Sequence, residues 1–229
     1  MLLVDDELEL LEIMAASLVH MGFKEVLTAK DGQEAFIRIQ SRSIDLLVTD
    51  VRMPVMDGVG LVRSIAELQQ VLPMVVFVSG FADVDKEEMY ALGVVAFMSK
   101  PCNRFDLSTV LQKALADRST LWQEPMSETP RQAILIKSDL GYSASGQEVR
   151  VGRGGFSAPY CGPFSRGKVF FQCETGTLGH NLSGEGDIRW VSRINGRIGI
   201  EFSYLDESCR SWVFEGLSTG APRSFIPCS

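Results

Sequence analysis

Through the first half of the chain, short apolar runs alternate with stretches whose apolar residues recur every three or four positions. A short apolar run between turn signals reads as a buried strand, and the longer period reads as one face of a helix. The strands expected on this basis are Leu2–Val4, Glu25–Ala29, Ile44–Thr49, Met74–Val78 and Val94–Met98. The helices are Leu8–Met21, Asp31–Gln40, Gly58–Gln70, Asp85–Leu92 and Arg104–Ala116. In the first of these, Leu11, Met14, Leu18 and Met21 share a face, and Gly22 stops it. Repeated strand and helix with short connections predicts an α/β fold, a doubly wound parallel sheet of five strands.

The pattern changes after about Arg118. Glu124-Pro-Met-Ser-Glu-Thr-Pro130 has two prolines and no period, and reads as a linker. Beyond it come short β-type runs at Gln132–Ile136, Glu148–Val151 and Lys168–Cys173. Asp187–Ile194, Asn195-Gly196 and Arg197–Phe202 predict a hairpin with a type I′ turn. Ile188, Trp190 and Ser192 then share one face, with Val191 and Ile194 off it, and Asp206–Phe214 is a short closing helix. These elements predict a small antiparallel β-barrel or sandwich. The domain boundaries expected are 1–118, a linker at 119–130, and 131–229.

With 229 residues, 45% of them hydrophobic, the chain can fill two modest cores. No apolar run approaches the length of a membrane span, and the start lacks the basic and apolar regions of a signal peptide. Five cysteines, at 102, 161, 173, 209 and 228, are odd in number and widely spaced, with no CxxC pair. Reduced thiols in a cytoplasmic protein, with no membrane partner, are the expectation. Charge divides unevenly. Residues 1–130 carry 11 Lys and Arg against 20 Asp and Glu, whereas residues 131–229 carry 11 against 9. The acidic half suits a cation site. No Lys/Arg stripe or helix-turn-helix pattern points to DNA.

Polar residues that follow the apolar runs carry the chemistry. They are Asp5 and Asp6 after Leu2–Val4, Asp50 after Leu46–Thr49, Ser79 after Val75–Val78, and Lys100-Pro101 after the fifth strand. Side chains at the carboxyl ends of parallel strands converge on one crevice. Three carboxylates, a hydroxyl and an ammonium suit Mg²⁺-dependent phosphoryl transfer onto an aspartate. Asp50 is the candidate nucleophile, Asp5 and Asp6 hold Mg²⁺, Lys100 offsets phosphoryl charge, and Ser79 donates a hydrogen bond. Taken singly, Asp5-Asp6-Glu7 reads as a helix cap and Lys100-Pro101 as a turn. Their conjunction, each at the end of a different strand, is the specific signal.

This half resembles the receiver domain of two-component response regulators. The acidic pair, Asp50 with Met53-Pro54 and Asp57-Gly58, Ser79-Gly80 and Lys100-Pro101 carry the resemblance over residues 1 to about 118. It implies phosphotransfer from a sensor histidine kinase to Asp50, reversed by hydrolysis, with no other enzyme activity. It implies Mg²⁺ on Asp6, Asp50 and the backbone carbonyl of Arg52, with Asp5 acting through water. Ser79 would swing toward the phosphoryl group, and Phe97 would turn inward as an aromatic switch, the other reading being a plain core residue. The fourth helix, fifth strand and fifth helix would form the output face. Homodimerisation on phosphorylation is common in that family.

From Gln147 to Val213 the chain resembles a PilZ domain, a small β-barrel that commonly binds cyclic di-GMP. The resemblance rests on Arg150-Val-Gly-Arg-Gly-Gly-Phe156, Gly167-Lys-Val-Phe-Phe171, and Ile188-Arg-Trp190 followed by Ile198-Gly-Ile-Glu-Phe202. Both family binding motifs are damaged. Arg131 stands where one of the paired arginines belongs, but the position four before it is Ser127. The second motif falls on Arg150, Gly152 and Gly155, of which only the last fits. Guanidinium groups stack on guanine and grip phosphate, so their loss weakens such a site. Arg153 is a partial substitute. Two outputs follow: a degenerate PilZ-like module acting through an unknown partner protein, or one that still takes cyclic di-GMP through Arg131, Arg150 and Arg153.

Overall fold

The computed structural model describes residues 1–68, 72–80, 84–117, 121–123, 132–137, 149–159, 167–174, 181–220 and 224–228, with side chains of 132–137, 174 and 218–220 left out. The chain divides into two units: Met1–Val84 with Leu92–Ala116, and Asp85–Ala91 with Asp117–Ser229.

The first sheet contains β1 (Leu2–Val4), β2 (Leu27–Ala29), β3 (Leu46–Thr49), β4 (Met74–Ser79) and β5 (Val94–Ser99) in the order β2-β1-β3-β4-β5. Every pairing is parallel, as with Leu3 opposite Val48 and Phe77 opposite Phe97. That strand order is the flavodoxin-like doubly wound arrangement. Its helices are α1 (Leu8–His20), α2 (Gly32–Ser41), α3 (Gly58–Glu67) and α5 (Arg104–Leu115). The short α4 (Lys86–Ala91) falls in the second unit. β1 and β3 are buried at every residue, which is why they read as unbroken apolar runs. Helix starts are set by side-chain caps: Asp31 accepts from the Glu34 N–H at 2.8 Å, and Asp57 accepts from the Gly60 N–H at 2.6 Å. β2 begins at Leu27 rather than Glu25, because Glu25 adopts φ +50 and breaks the extended run.

The second unit holds β6 (Gln132–Lys137), β7 (Arg150–Val151), β8 (Gly155–Pro159), β9 (Lys168–Glu174), β10 (Leu182–Ser192) and β11 (Arg197–Leu205), followed by α6 (Glu207–Gly220). The order is β6-β9-β10-β11-β8-β7. A small antiparallel barrel or sandwich was expected from sequence. Instead β6 lies parallel to β9, the chain between them running through β7 and β8, and among the described residues the outer strands β6 and β7 do not pair. The expected two-residue turn is also corrected. β10 stops at Ser192, and residues 193–196 form a four-residue connection with positive φ only at Gly196. Ser192 Oγ accepts from the Asn195 N–H at 3.3 Å, a local bond that holds the wider loop. Ile194 is 97% exposed there, off the buried face as its alternation required.

β10 carries a bulge. Ile188 pairs with Ile200 and Trp190 with Gly199, leaving Arg189 as the extra residue. Arg189 Nε donates to Glu201 Oε2 at 2.6 Å. The Trp190 indole covers Gly199, where an added Cβ would stand 2.1 Å from the ring. Beneath the sheet, Phe156, Phe171 and Phe202 pack edge-on and stacked with centroids 4.8–5.8 Å apart. Trp122, expected in the linker, belongs to this core: it is 2% exposed, stacks on Phe214 and meets Phe202 edge-on.

Candidate functional site

β1, β3, β4 and β5 end within a few residues of Asp5, Asp50, Ser79 and Lys100, so the parallel sheet brings these groups to one edge. Asp5 and Asp50 are buried while Asp6 is exposed, and one carboxylate oxygen from each lies within 4.8 Å of the others. The Lys100 ammonium sits among them, with Nζ 2.7 Å from Asp5 Oδ2 and 2.6 Å from Asp50 Oδ2. Glu7 adds a longer contact to Lys100 at 3.4 Å. Carboxylates gathered in this way would repel one another; here Lys100 supplies the compensating charge itself.

Two further groups fix Asp50. The Arg52 backbone N–H donates to Asp50 Oδ1 at 3.1 Å, and the Ser79 side chain is hydrogen-bonded to the same carboxylate. Burial pushes the Asp50 carboxyl up, but hydrogen bonds from Lys100, Ser79 and the Arg52 N–H outweigh it and hold the group below its ordinary value. Burial pulls the Lys100 ammonium down, but its bonds to Asp5 and Asp50 reverse that and raise it. Both groups are therefore ionised at neutral pH. The loop after Asp50 is tightly drawn: the Gly58 N–H donates to the Val51 carbonyl at 2.9 Å, and a Cβ at Gly58 would stand 2.1 Å from the Asp50 carbonyl. Only glycine fits so close an approach.

The residues read from sequence as the phosphoryl site thus stand together. Phe97 is half-buried on β5, its ring 5.7 Å from that of Phe77. The residues suggested for a nucleotide belong to the second unit. Arg131 lies outside the described residues. Arg150 Nη1 donates to the Cys228 carbonyl at 3.3 Å, and the Arg153 N–H donates to the Ser224 carbonyl at 3.0 Å. Both are engaged with the chain's own segment 224–228. Sequence reasoning missed the contact of Glu7 with Lys100, although its place directly after the acidic pair marked it, and missed segment 224–228 altogether.

A buried carboxylate with an ammonium at 2.6 Å, two further carboxylates and a hydroxyl can bind a divalent cation and neutralise a transferring phosphoryl group. The family described as the response regulator receiver domain matches residues 1–112. The transcriptional regulatory protein GlrR of Escherichia coli (strain K12) is 28% identical over 171 residues, 75% of this chain and 37% of that protein. The alkaline phosphatase synthesis transcriptional regulatory protein PhoP of Bacillus subtilis (strain 168) is 29% identical over 127 residues, 56% of this chain and 52% of that protein. The chain thus spans about a third to a half of these relatives. Among solved structures, the chemotaxis response regulator CheY4 of Vibrio cholerae matches at 30% identity and a TM-score of 0.46, over 50% of this chain and 96% of that one. Residues 1–112 of this protein form a response regulator receiver domain.

Proposed function

We propose that the chain is a response regulator that takes a phosphoryl group on Asp50 from a histidine kinase and passes the change to its second unit, which acts through a partner protein. The observation that carries the reading is the Asp50 carboxylate held between the Lys100 ammonium at 2.6 Å, the Ser79 side chain and the Arg52 N–H. An Asp50 oxygen attacks phosphorus, the P–O bond forms as the bond to the donor breaks, and the electron pair leaves with the donor. Lys100 faces the incoming negative charge, and Ser79 donates its hydroxyl proton in a hydrogen bond to a phosphoryl oxygen. Asp5, Asp6 and Asp50 are the residues that would hold Mg²⁺, which when bound supplies positive charge against the phosphoryl oxygens.

We read the second unit as a protein-interaction module rather than a nucleotide site because the Arg150 guanidinium already donates to the Cys228 carbonyl of segment 224–228. Among the described residues no helix is long and apolar enough to cross a membrane. The test is incubation with acetyl phosphate and Mg²⁺, followed by intact-mass measurement. Wild type is expected to gain one phosphoryl group and Asp50→Asn none; equal labelling of the two would place the nucleophile elsewhere.

A further inference from the structure

Segment 224–228 lies against a loop whose glycines are shaped for it. The Arg153 and Gly154 N–H groups each donate to this segment, at 3.0 Å to the Ser224 and Phe225 carbonyls. A Cβ at Gly154 would stand 1.9 Å from the Phe225 ring, and one at Gly152 would stand 2.7 Å from the Phe225 carbonyl. Gly152 and Gly154 therefore have a physical use of their own: they admit a peptide.

The same segment also holds α4 within this unit. The Phe225 and Ile226 N–H groups both donate to the Tyr90 carbonyl, at 2.9 and 3.3 Å, and the Tyr90 and Phe225 rings stack with centroids 6.1 Å apart. Asn195 Nδ2 adds a bond from the β10–β11 connection to Glu87 at 3.3 Å. α4 leads through Leu92 and Gly93 directly into β5, the strand that ends one residue before Lys100. Few residues of chain therefore separate the clamp on Tyr90 from the ammonium bound to Asp50.

Resting on the phosphoacceptor reading, we propose that Ser224–Cys228 is a displaceable latch. It fills a peptide-binding strip on the Gly152–Gly154 loop and clamps α4, and phosphorylation of Asp50 loosens it. The ligand class the strip takes is an extended peptide that offers backbone carbonyls and one aromatic ring, the groups Phe225 now supplies. A partner with such a segment replaces the latch.

Amide hydrogen exchange on the full chain tests this, with Phe202 and Ile200 as the reference for the sheet. The Arg153, Gly154, Phe225 and Ile226 amides should exchange together through a local opening that depends weakly on denaturant. Acetyl phosphate with Mg²⁺ should speed them at least about tenfold, equivalent to about 1.4 kcal/mol of opening free energy. Asp50→Asn should show no such change. A synthetic peptide of residues 224–229 should bind the folded Phe225→Ala variant and slow exchange at Gly154 again. Exchange of these amides only together with Ile200 and Phe202 would make the segment plain core and overturn the latch. Labelled Asp50 with unchanged rates would overturn the coupling while leaving the phosphoacceptor reading intact. No labelling at all would overturn that reading, and the coupling with it.

Discussion

The two sheets place their distinctive residues in opposite locations. In the first, charge collects where the strands end: Asp5, Asp50 and Lys100 stand at the carboxyl edge of a sheet whose middle is aliphatic. In the second, the centre is aromatic, with Phe156, Phe171, Phe202 and Trp122 packed ring on ring. A parallel sheet covered on both faces leaves its strand ends as the place for chemistry. A sheet built around large rings is specified by shape, and its contacts with other molecules depend on loops and edges. Chemistry and packing therefore respond to different perturbations.

The largest expected effect falls on packing. Phe202→Ala removes a ring that touches Trp122, Phe156 and Phe171, and should destabilise the second unit by about 3–5 kcal/mol, read as a lower denaturation midpoint. Phosphoryl uptake by Asp50 in the folded variant should be unchanged; its loss would show that the two units are not separable in this way. Next comes Lys100→Ala, which leaves two buried carboxylates without their counter-charge. A cost of roughly 3 kcal/mol is expected, since removing one partner of a largely buried pair strands the other. Mg²⁺ should restore more thermal stability to this variant than it adds to wild type, and an equal gain would mean the cation does not share the site with Lys100.

Gly199→Ala sharpens the contrast from the other side. Its Cβ would meet the Trp190 indole, so the ring must leave its place; a loss of about 1–3 kcal/mol is expected, with a change in tryptophan fluorescence. The smallest effect appears only in alkali. Burial pushes the Tyr90 hydroxyl from 10.0 to about 12, with Arg189 opposing and Glu201 assisting. The folded value lies above the unfolded one, so Tyr90 contributes fully below pH 10 and that contribution is lost as pH rises through about 12. Stability of Tyr90→Phe should fall less steeply than that of wild type between these values.

Legibility in the sequence followed the same division. Asp5, Asp50, Ser79 and Lys100 were readable because each polar group ends an apolar run, and the period of a buried strand is a local signal. The partner of Asp50 in this structure was not foreseen. Carboxylates in a cluster suggest a metal, and nothing in the spacing of Lys100 says that it reaches both Asp5 and Asp50. Trp122 looked like linker because the residues around it have no period, yet an indole near a cluster of rings is drawn in by its area alone. The turn at residues 193–196 was misjudged since Asn-Gly usually makes a two-residue turn, and here the Ser192 hydroxyl offers the backbone another partner. Segment 224–228 gave no signal, because the contacts described for it are distant in sequence: Arg150, Gly152–Gly154 and Tyr90.

The bulge at Arg189 has a consequence for how β10 and β11 find each other. These strands hold Gly184, Gly186 and Gly199, small residues that give little grip on alignment. A slide of β10 by one position would turn the Arg189 guanidinium toward the place now taken by the buried Trp190 indole and would carry it away from Glu201. The pair adds little strength, since the arginine is partly open to solvent, but it makes every neighbouring alignment worse. In folding terms it is a key cut for one lock: the observed alignment is the one that lays the guanidinium on Glu201.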